Sequence, residues 1–243
     1  MREPRLYVDS NLASNELFSL PKDSAHHVSR VLRMRSGQRL WLFNGQGSSQ
    51  LAEIVEIDRR QVQVRLLGEQ EEGRESKLEL TLCQCVSRAQ HMDYTLQKAV
   101  ELGVTRIVPI LSEFSNVRIA EDRQDTKLNH WRQVIISATE QCGRSRLAEL
   151  EAPMSLEDWF GMDKNQVRLI LHPGAAKNFG DITPTSSQVT ILCGPEGGLS
   201  EDEVKSALAQ GYIEVAMGPR ILRTETAPVA ALSVCQFLWG DLN

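Results

Sequence analysis

Nine consecutive residues, Gly68 to Ser76, carry no large apolar side chain. Such a stretch buries almost nothing and reads as an exposed segment between two domains. The hydrophobic period differs on its two sides. Before it, Val62, Val64 and Leu66 alternate with Gln61, Gln63 and Arg65, and Leu40 to Phe43 and Leu51 to Ile57 are equally strand-like. Turn signals at Asn44-Gly45 and Asp58-Arg59-Arg60 separate these strands. After it, strand and helix patterns alternate, which is the arrangement of an α/β domain with a mainly parallel sheet. The expectation is a β domain over residues 1–72 and an α/β domain over residues 73–243.

The second half can be laid out element by element. Leu78 to Val86 is a strand, and Met92, Leu96 and Ala99 share one face of a helix from Met92 to Leu102 that Gly103 closes. Val104 to Leu111, Arg168 to His172, Val189 to Cys193 and Tyr212 to Met217 are further strands. Thr126 to Cys142 places Leu128, Trp131, Ile135, Ala138 and Cys142 at helical spacing. Ser200 and Glu203 stand in the capping-box relation at the start of a helix that Gly211 ends.

Charge and composition exclude several classes of function. Asp and Glu number 32 against 27 Lys and Arg, a net charge of −5 over 243 residues, so a wholly basic nucleic-acid coat is ruled out. Any contact with nucleic acid must be local. Hydrophobic residues at 41% are ample for a core and exclude a disordered chain. Apolar clusters such as Val134 to Ala138 fall far short of a bilayer span. The opening Met1-Arg2-Glu3-Pro4-Arg5 lacks the pattern of a secretory signal, and five cysteines are an odd count. Both point to a reducing cytoplasm. Cys83 and Cys85 face one side of a strand, but no second pair completes a four-ligand set, so two small buried residues are expected and no metal.

In open α/β sheets, ligands bind beyond the carboxyl ends of the strands. Three loops occupy such positions: His172-Pro173-Gly174, Gly194 to Ser200, and Gly218 to Ala227. Glycines there let backbone approach a ligand closely. Neither a G-x-x-x-x-G-K-[ST] loop nor a G-x-G-x-x-G after the first α/β strand is present, which argues against a P-loop or an ordinary Rossmann site.

Gly194-Pro195-Glu196-Gly197-Gly198-Leu199, followed by Gly218-Pro219-Arg220-Ile221-Leu222-Arg223-Thr224-Glu225-Thr226-Ala227, resembles the two signature loops of the SPOUT (trefoil-knot) RNA methyltransferases. Pro4-Arg5-Leu6-Tyr7, Ser87-Arg88, Gln97 to Val104 and Glu140 to Arg144 extend the resemblance along the whole chain to the ribosomal RNA small subunit methyltransferase E family. That family methylates N3 of a uridine in 16S rRNA. The resemblance implies a PUA-like β-barrel domain, a trefoil-knotted α/β domain, a homodimer and S-adenosyl-L-methionine held in the knot. Periodicity alone implies no knot, and general topology argues against one.

By the same resemblance the cofactor pocket comprises Leu171 and His172, then Gly194, Glu196 and Gly198, then Met217, Gly218, Ile221 and Leu222. Glu196 faces either the sulfonium charge or the start of the helix that follows it. Arg223 and Glu225 are the catalytic candidates. Removing the N3 proton spreads negative charge onto O2 and O4, which a guanidinium can stabilise but cannot initiate, since it is never a base. Glu225 is the nearest carboxylate, at a spacing that fits an ion pair with Arg223 as well as proton abstraction. Glu101, Glu140 and Arg144 occupy family-like segments that close the site in one reading and pack helix ends in another. His91 and His130 have no partnered ligand spacing, and surface or core roles suffice for them.

For RNA, Lys22, Arg30, Arg33, Arg35 and Arg39 stand against Asp23 alone. On a helix His26, Arg30 and Arg33 share one face and Ala25, Val28 and Leu32 another. Arg30 and Arg33, with Arg5, are the expected phosphate contacts, and a solvated surface helix is the alternative. Other rivals are a different SPOUT methyltransferase acting on a ribose 2′-oxygen or another base, and a non-catalytic assembly factor.

Overall fold

The structure, a computed structural model, describes residues 3–12, 17–58, 61–70, 73–115 and 120–243. The expected turn at Arg59-Arg60, the opening Met1-Arg2 and the boundary at residue 72 lie outside the described residues. The chain divides into two compact units, Met1–Glu75 with Ile136–Leu147, and Ser76–Ile135 with Ala148–Asn243.

In the first unit, β1 (Arg5–Tyr7), β2 (Leu17–Ser19), β3 (Arg39–Phe43), β4 (Ser49–Ile57) and β5 (Val62–Gln70) form one sheet in the order β1-β3-β4-β5-β2. The β1–β3 pair is parallel and the others are antiparallel. Alternation buries Leu40 and Leu42 of β3, Ala52 and Ile54 of β4, and Val62, Val64 and Leu66 of β5 in one core. Helix α1 (Lys22–His26) runs into a wider π-type turn over His27–Val31, and Ala25 and Val28 pack into the same core.

The basic segment departs from the helix expected there. Arg33 takes a left-handed φ of 51°, and the Met34 N–H donates to the Val28 carbonyl at 3.0 Å, a six-residue closure that ends the helix. Arg33 therefore leaves the helical face it was expected to share with His26 and Arg30. Leu32 is 37% exposed rather than buried beside Ala25 and Val28. Arg30, Arg33 and Arg35 are all exposed.

Residues 136–147 also belong to this unit, although the sequence assigns them to the second domain. The Tyr7 N–H donates to Oε1 of Glu140 at 2.9 Å, and Arg144 is ion-paired with Glu75 at 2.8 Å.

Among the described residues, the second unit is built on seven strands in which every pairing is parallel. Its elements in chain order are β6 (Glu79–Cys85), α2 (Ala89–Glu101), β7 (Val104–Leu111), α3 (Glu121–Cys142), β8 (Glu149–Leu150), β9 (Met154–Ser155), α4 (Leu156–Met162), β10 (Val167–Leu171), β11 (Gln188–Cys193), α5 (Glu201–Ala209), β12 (Ile213–Val215) and α6 (Thr226–Trp239). Their spatial order is β12-β10-β11-β6-β7-β8, with β9 also on β7. Strands β6 and β11 are buried along nearly their whole length, as parallel strands covered on both faces must be. Cys83 and Cys85 are fully buried free thiols within that core, and burial pushes the Cys85 thiol up to about 12.

The chain leaves β6 toward β7 and later returns to place β11 on the other side of β6. Strand order therefore reverses between β6 and β11, and ligands bind at such reversals in open α/β sheets. Because all these strands are parallel, their carboxyl ends share one edge of the sheet.

Candidate active site

That edge carries a cavity of about 540 Å³. Leu171 and His172 reach it from the end of β10, and Gly194, Glu196 and Gly198 from the loop after β11. Met217, Gly218, Ile221 and Leu222 reach it from the segment between β12 and α6, and Arg223 and Glu225 line the same space. Eleven residues singled out on three sequence segments thus converge on one concavity.

Backbone chemistry shapes the loops. Gly198 and Gly218 have φ of 76° and 80°, where a side chain would be strained, and a Cβ at either would meet nothing within 4 Å. Glycine is required at both positions by conformation rather than by crowding. The Gly198 N–H closes a turn onto the Pro195 carbonyl at 3.0 Å, and the Thr224 hydroxyl donates to the Gly194 carbonyl at 3.1 Å. This second bond ties the two glycine loops together. His172 is anchored by its N–H to the Val215 carbonyl at 3.2 Å and by Nδ1, 3.0 Å from Glu214. Ile221 is 86% exposed, an apolar side chain held out at the rim.

Glu196 does not assist the helix that follows it. The start of α5 is satisfied by its own capping box, with Ser200 and Glu203 bonded reciprocally. Oε1 of Glu196 instead accepts from the Arg88 N–H at the start of α2 and lies 3.1 Å from Nδ1 of His91. Burial works to raise this carboxyl, but the Arg88 amide, its own amide and His91 outweigh it and hold Glu196 below the usual carboxylate range. The carboxylate thus caps a helix distant in sequence.

Glu225 stands at the N-cap of α6 with no side-chain bond to that helix. Its Oε2 is buried without a hydrogen bond among the described residues and lies 3.6 Å from Nδ1 of His91. Arg223 is exposed and forms no ion pair with Glu225 among the described residues, so of the two readings of their spacing the pair is not the one observed. His91 is the site residue that sequence reasoning passed over. It lines the cavity from the first turn of α2, directly after the carboxyl end of β6, and its place beside Ser87-Arg88 was the available signal.

The remaining candidates are committed elsewhere. Glu101 pairs with Lys98 at 2.8 Å, and His130 with Asp93 at 2.8 Å. Glu140 and Arg144 serve the first unit as described. Arg5 donates from Nη2 to the Arg144 carbonyl at 3.2 Å and to Oγ of Ser145 at 2.9 Å, with its guanidinium over the Phe43 ring. It secures the first unit internally, whereas Arg30 and Arg33 extend into solvent. Among the described residues, no group of three or more His, Cys, Asp or Glu side chains is placed to hold a metal, and no helix is long and apolar enough to cross a membrane.

Family models match both halves of the chain: an RNA methyltransferase domain over residues 74–236 and an RNA methyltransferase PUA domain over residues 20–67. The ribosomal RNA small subunit methyltransferase E of Buchnera aphidicola subsp. Schizaphis graminum is 34% identical over 243 residues, covering 100% of this chain and 99% of that relative. This chain belongs to the ribosomal RNA small subunit methyltransferase E family. Solved structures with family features agree. A putative methyltransferase from Legionella pneumophila, in complex with S-adenosylmethionine, has a TM-score of 0.96 and 38% identity, with 100% of each chain covered. A ribosomal RNA small subunit methyltransferase E from Neisseria gonorrhoeae, bound to S-adenosyl methionine, has a TM-score of 0.94 and 36% identity, again over 100% of each chain. The methyltransferase E family thus accounts for both units, the β unit through its PUA model and the α/β unit through its RNA methyltransferase model.

Proposed function

We propose that this methyltransferase modifies N3 of a uridine in 16S rRNA of the small ribosomal subunit, with S-adenosylmethionine as methyl donor, and that it works as a cytoplasmic homodimer with a knotted chain path in its α/β unit. The observation that carries the reading is the convergence of Arg223 and Glu225 with nine pocket residues on one cavity at the carboxyl edge of the sheet. The residues present fit the donor. Gly198 and Gly218 leave open space where any other residue would project a Cβ. Leu171, Met217, Ile221 and Leu222 offer apolar surface for an adenine, and the loop amides and carbonyls can read its edge.

The cofactor supplies a methyl group activated by a neighbouring sulfonium charge. What the chain supplies is orientation and charge. Arg223 is free to stabilise the negative charge that grows on O2 and O4 of the base, or to hold the adjoining phosphate. Glu225 lines the cavity and makes no side-chain bond to α6, which makes it the carboxylate placed to take up the N3 proton. Arg30 and Arg33 contact phosphates from the first unit. Exposure of Phe237 at 59% and Leu238 at 41%, at the end of apolar α6, supports the dimer.

The test is mass spectrometry of 16S rRNA from cells lacking the protein and from complemented cells. N3-methyluridine should disappear and return. A change in a 2′-O-methyl mark or in another base would replace this reading with another RNA methyltransferase activity, and an unchanged rRNA would leave an assembly factor.

A further inference from the structure

Two carboxylates from different loops converge on one ring nitrogen. Nδ1 of His91 lies 3.1 Å from Glu196 and 3.6 Å from Glu225. Glu196 belongs to the loop after β11, Glu225 to the segment before α6, and His91 to the first turn of α2. A nitrogen that faces two acceptors must carry a proton. Without a cation between them, two carboxylates aimed at one point repel each other. The bond from the Arg88 N–H to Glu196 starts the same helix, so all three segments meet at its N-terminus.

We propose that His91 is a positioning residue that, in its protonated form, clamps Glu196 and Glu225, and with them the two cofactor loops, against the start of α2. The proposal rests on reading the cavity as an S-adenosylmethionine site, but not on the target atom in RNA. The charged groups facing His91 are Glu196 and Glu225, while His172, Arg220 and Arg223 line the same cavity. The His91 side chain is 32% exposed, so solvent protons reach it. Histidine as a residue type changes charge between about pH 5 and 8, so measurements toward the two ends of that interval test whether the clamp needs the charge. A lysine is a permanent cation over the same interval and should hold both carboxylates, whereas glutamine supplies no charge.

The experiment compares wild type, His91→Lys and His91→Gln by calorimetric titration with S-adenosylmethionine at about pH 6 and about pH 8.5. Wild-type affinity divided by His91→Lys affinity should fall roughly three- to tenfold between the two, the range for losing a charge-assisted bond. The ratio cancels titration of the cofactor's own amine. His91→Gln should bind weakly at both. Thermal melts without cofactor give a second readout, with wild type losing ground to His91→Lys as pH rises. A constant ratio in both measurements overturns the proposal, as does His91→Gln binding like wild type at about pH 6. A folded His91→Lys that binds cofactor normally but fails single-turnover methyl transfer also overturns it, and makes the imidazole a proton acceptor instead. If wild type modifies no uridine, the reading of the target falls while the binding ratio still decides the clamp.

Discussion

Arg223 and Gly198 separate two kinds of demand that a single cavity places on its residues. Gly198 matters through its backbone: a side chain there is strained at a φ of 76° and projects into the open space of the cavity. Gly198→Val is therefore expected to weaken cofactor binding by at least tenfold, the equivalent of about 1.4 kcal/mol, with calorimetry on the folded variant as the check. In the proposed reaction Arg223 acts through its charge. Arg223→Ala should lower methyl transfer by roughly 10²-fold or more, the scale for removing one charge-stabilising donor, with cofactor affinity retained. Single-turnover kinetics at saturating RNA separate the two, since loss of binding alone would make Arg223 a pocket residue. Both positions were singled out in sequence because they lie in strand-end loops, where ligands bind in open α/β sheets. His91 was not, because one histidine in a helix looks the same whether it faces solvent or two carboxylates.

Among the elements, long periodic segments were legible and short ones were not. The strands around residues 40–43, 51–57 and 62–66 and the helices around α2 and α5 follow their hydrophobic period and caps. Strands β1, β2 and β9 have two or three residues, too few for any period, and exist because a partner strand pairs with them. Helix α1 was misread past its π-type turn because Arg33, not a glycine, occupies the left-handed closing position. The end of α3 offers a test of an element in its packed setting. Burial raises the Glu140 carboxyl above its usual value, against the Tyr7 amide and His27, which lower it. The folded form therefore favours a protonated Glu140. Its contribution is present at pH below the unfolded-state value and is lost as pH rises through the raised folded value. Glu140→Gln keeps an oxygen for the Tyr7 N–H and never ionises. Thermal melts should show the variant more stable than wild type at neutral pH, with the gap closing as pH falls toward about 4.

At the scale of the whole molecule, an acidic protein that acts on a polyanion needs local positive charge, and Arg30 and Arg33 of the first unit are exposed. If Arg30 and Arg33 each neutralise about one phosphate, the double variant Arg30→Ala with Arg33→Ala should reduce the slope of log affinity against log salt by roughly 1.5 to 2. Cofactor affinity should be unchanged. Target and near-target RNAs should weaken alike, because phosphate contacts contribute affinity without reading bases. Filter binding across a salt series is the measurement, and an unaltered slope would return the segment to an ordinary solvated surface.

The amino-acid sequence by itself determined the two-part character of the chain, the parallel sheet and the three loops that carry the cavity. Those features are written in local period, composition and glycine placement, which act within a few residues. Only the tertiary structure decided that residues 136–147 pack with the β unit, that Arg5 is spent inside it, and that Glu196 caps α2 rather than α5. Each of these depends on partners more than 60 residues away, Glu140 with Tyr7 and Glu196 with Arg88 among them. A carboxylate's role is set by whichever N–H or cation the fold brings within about 3 Å of it, and no local pattern records that choice.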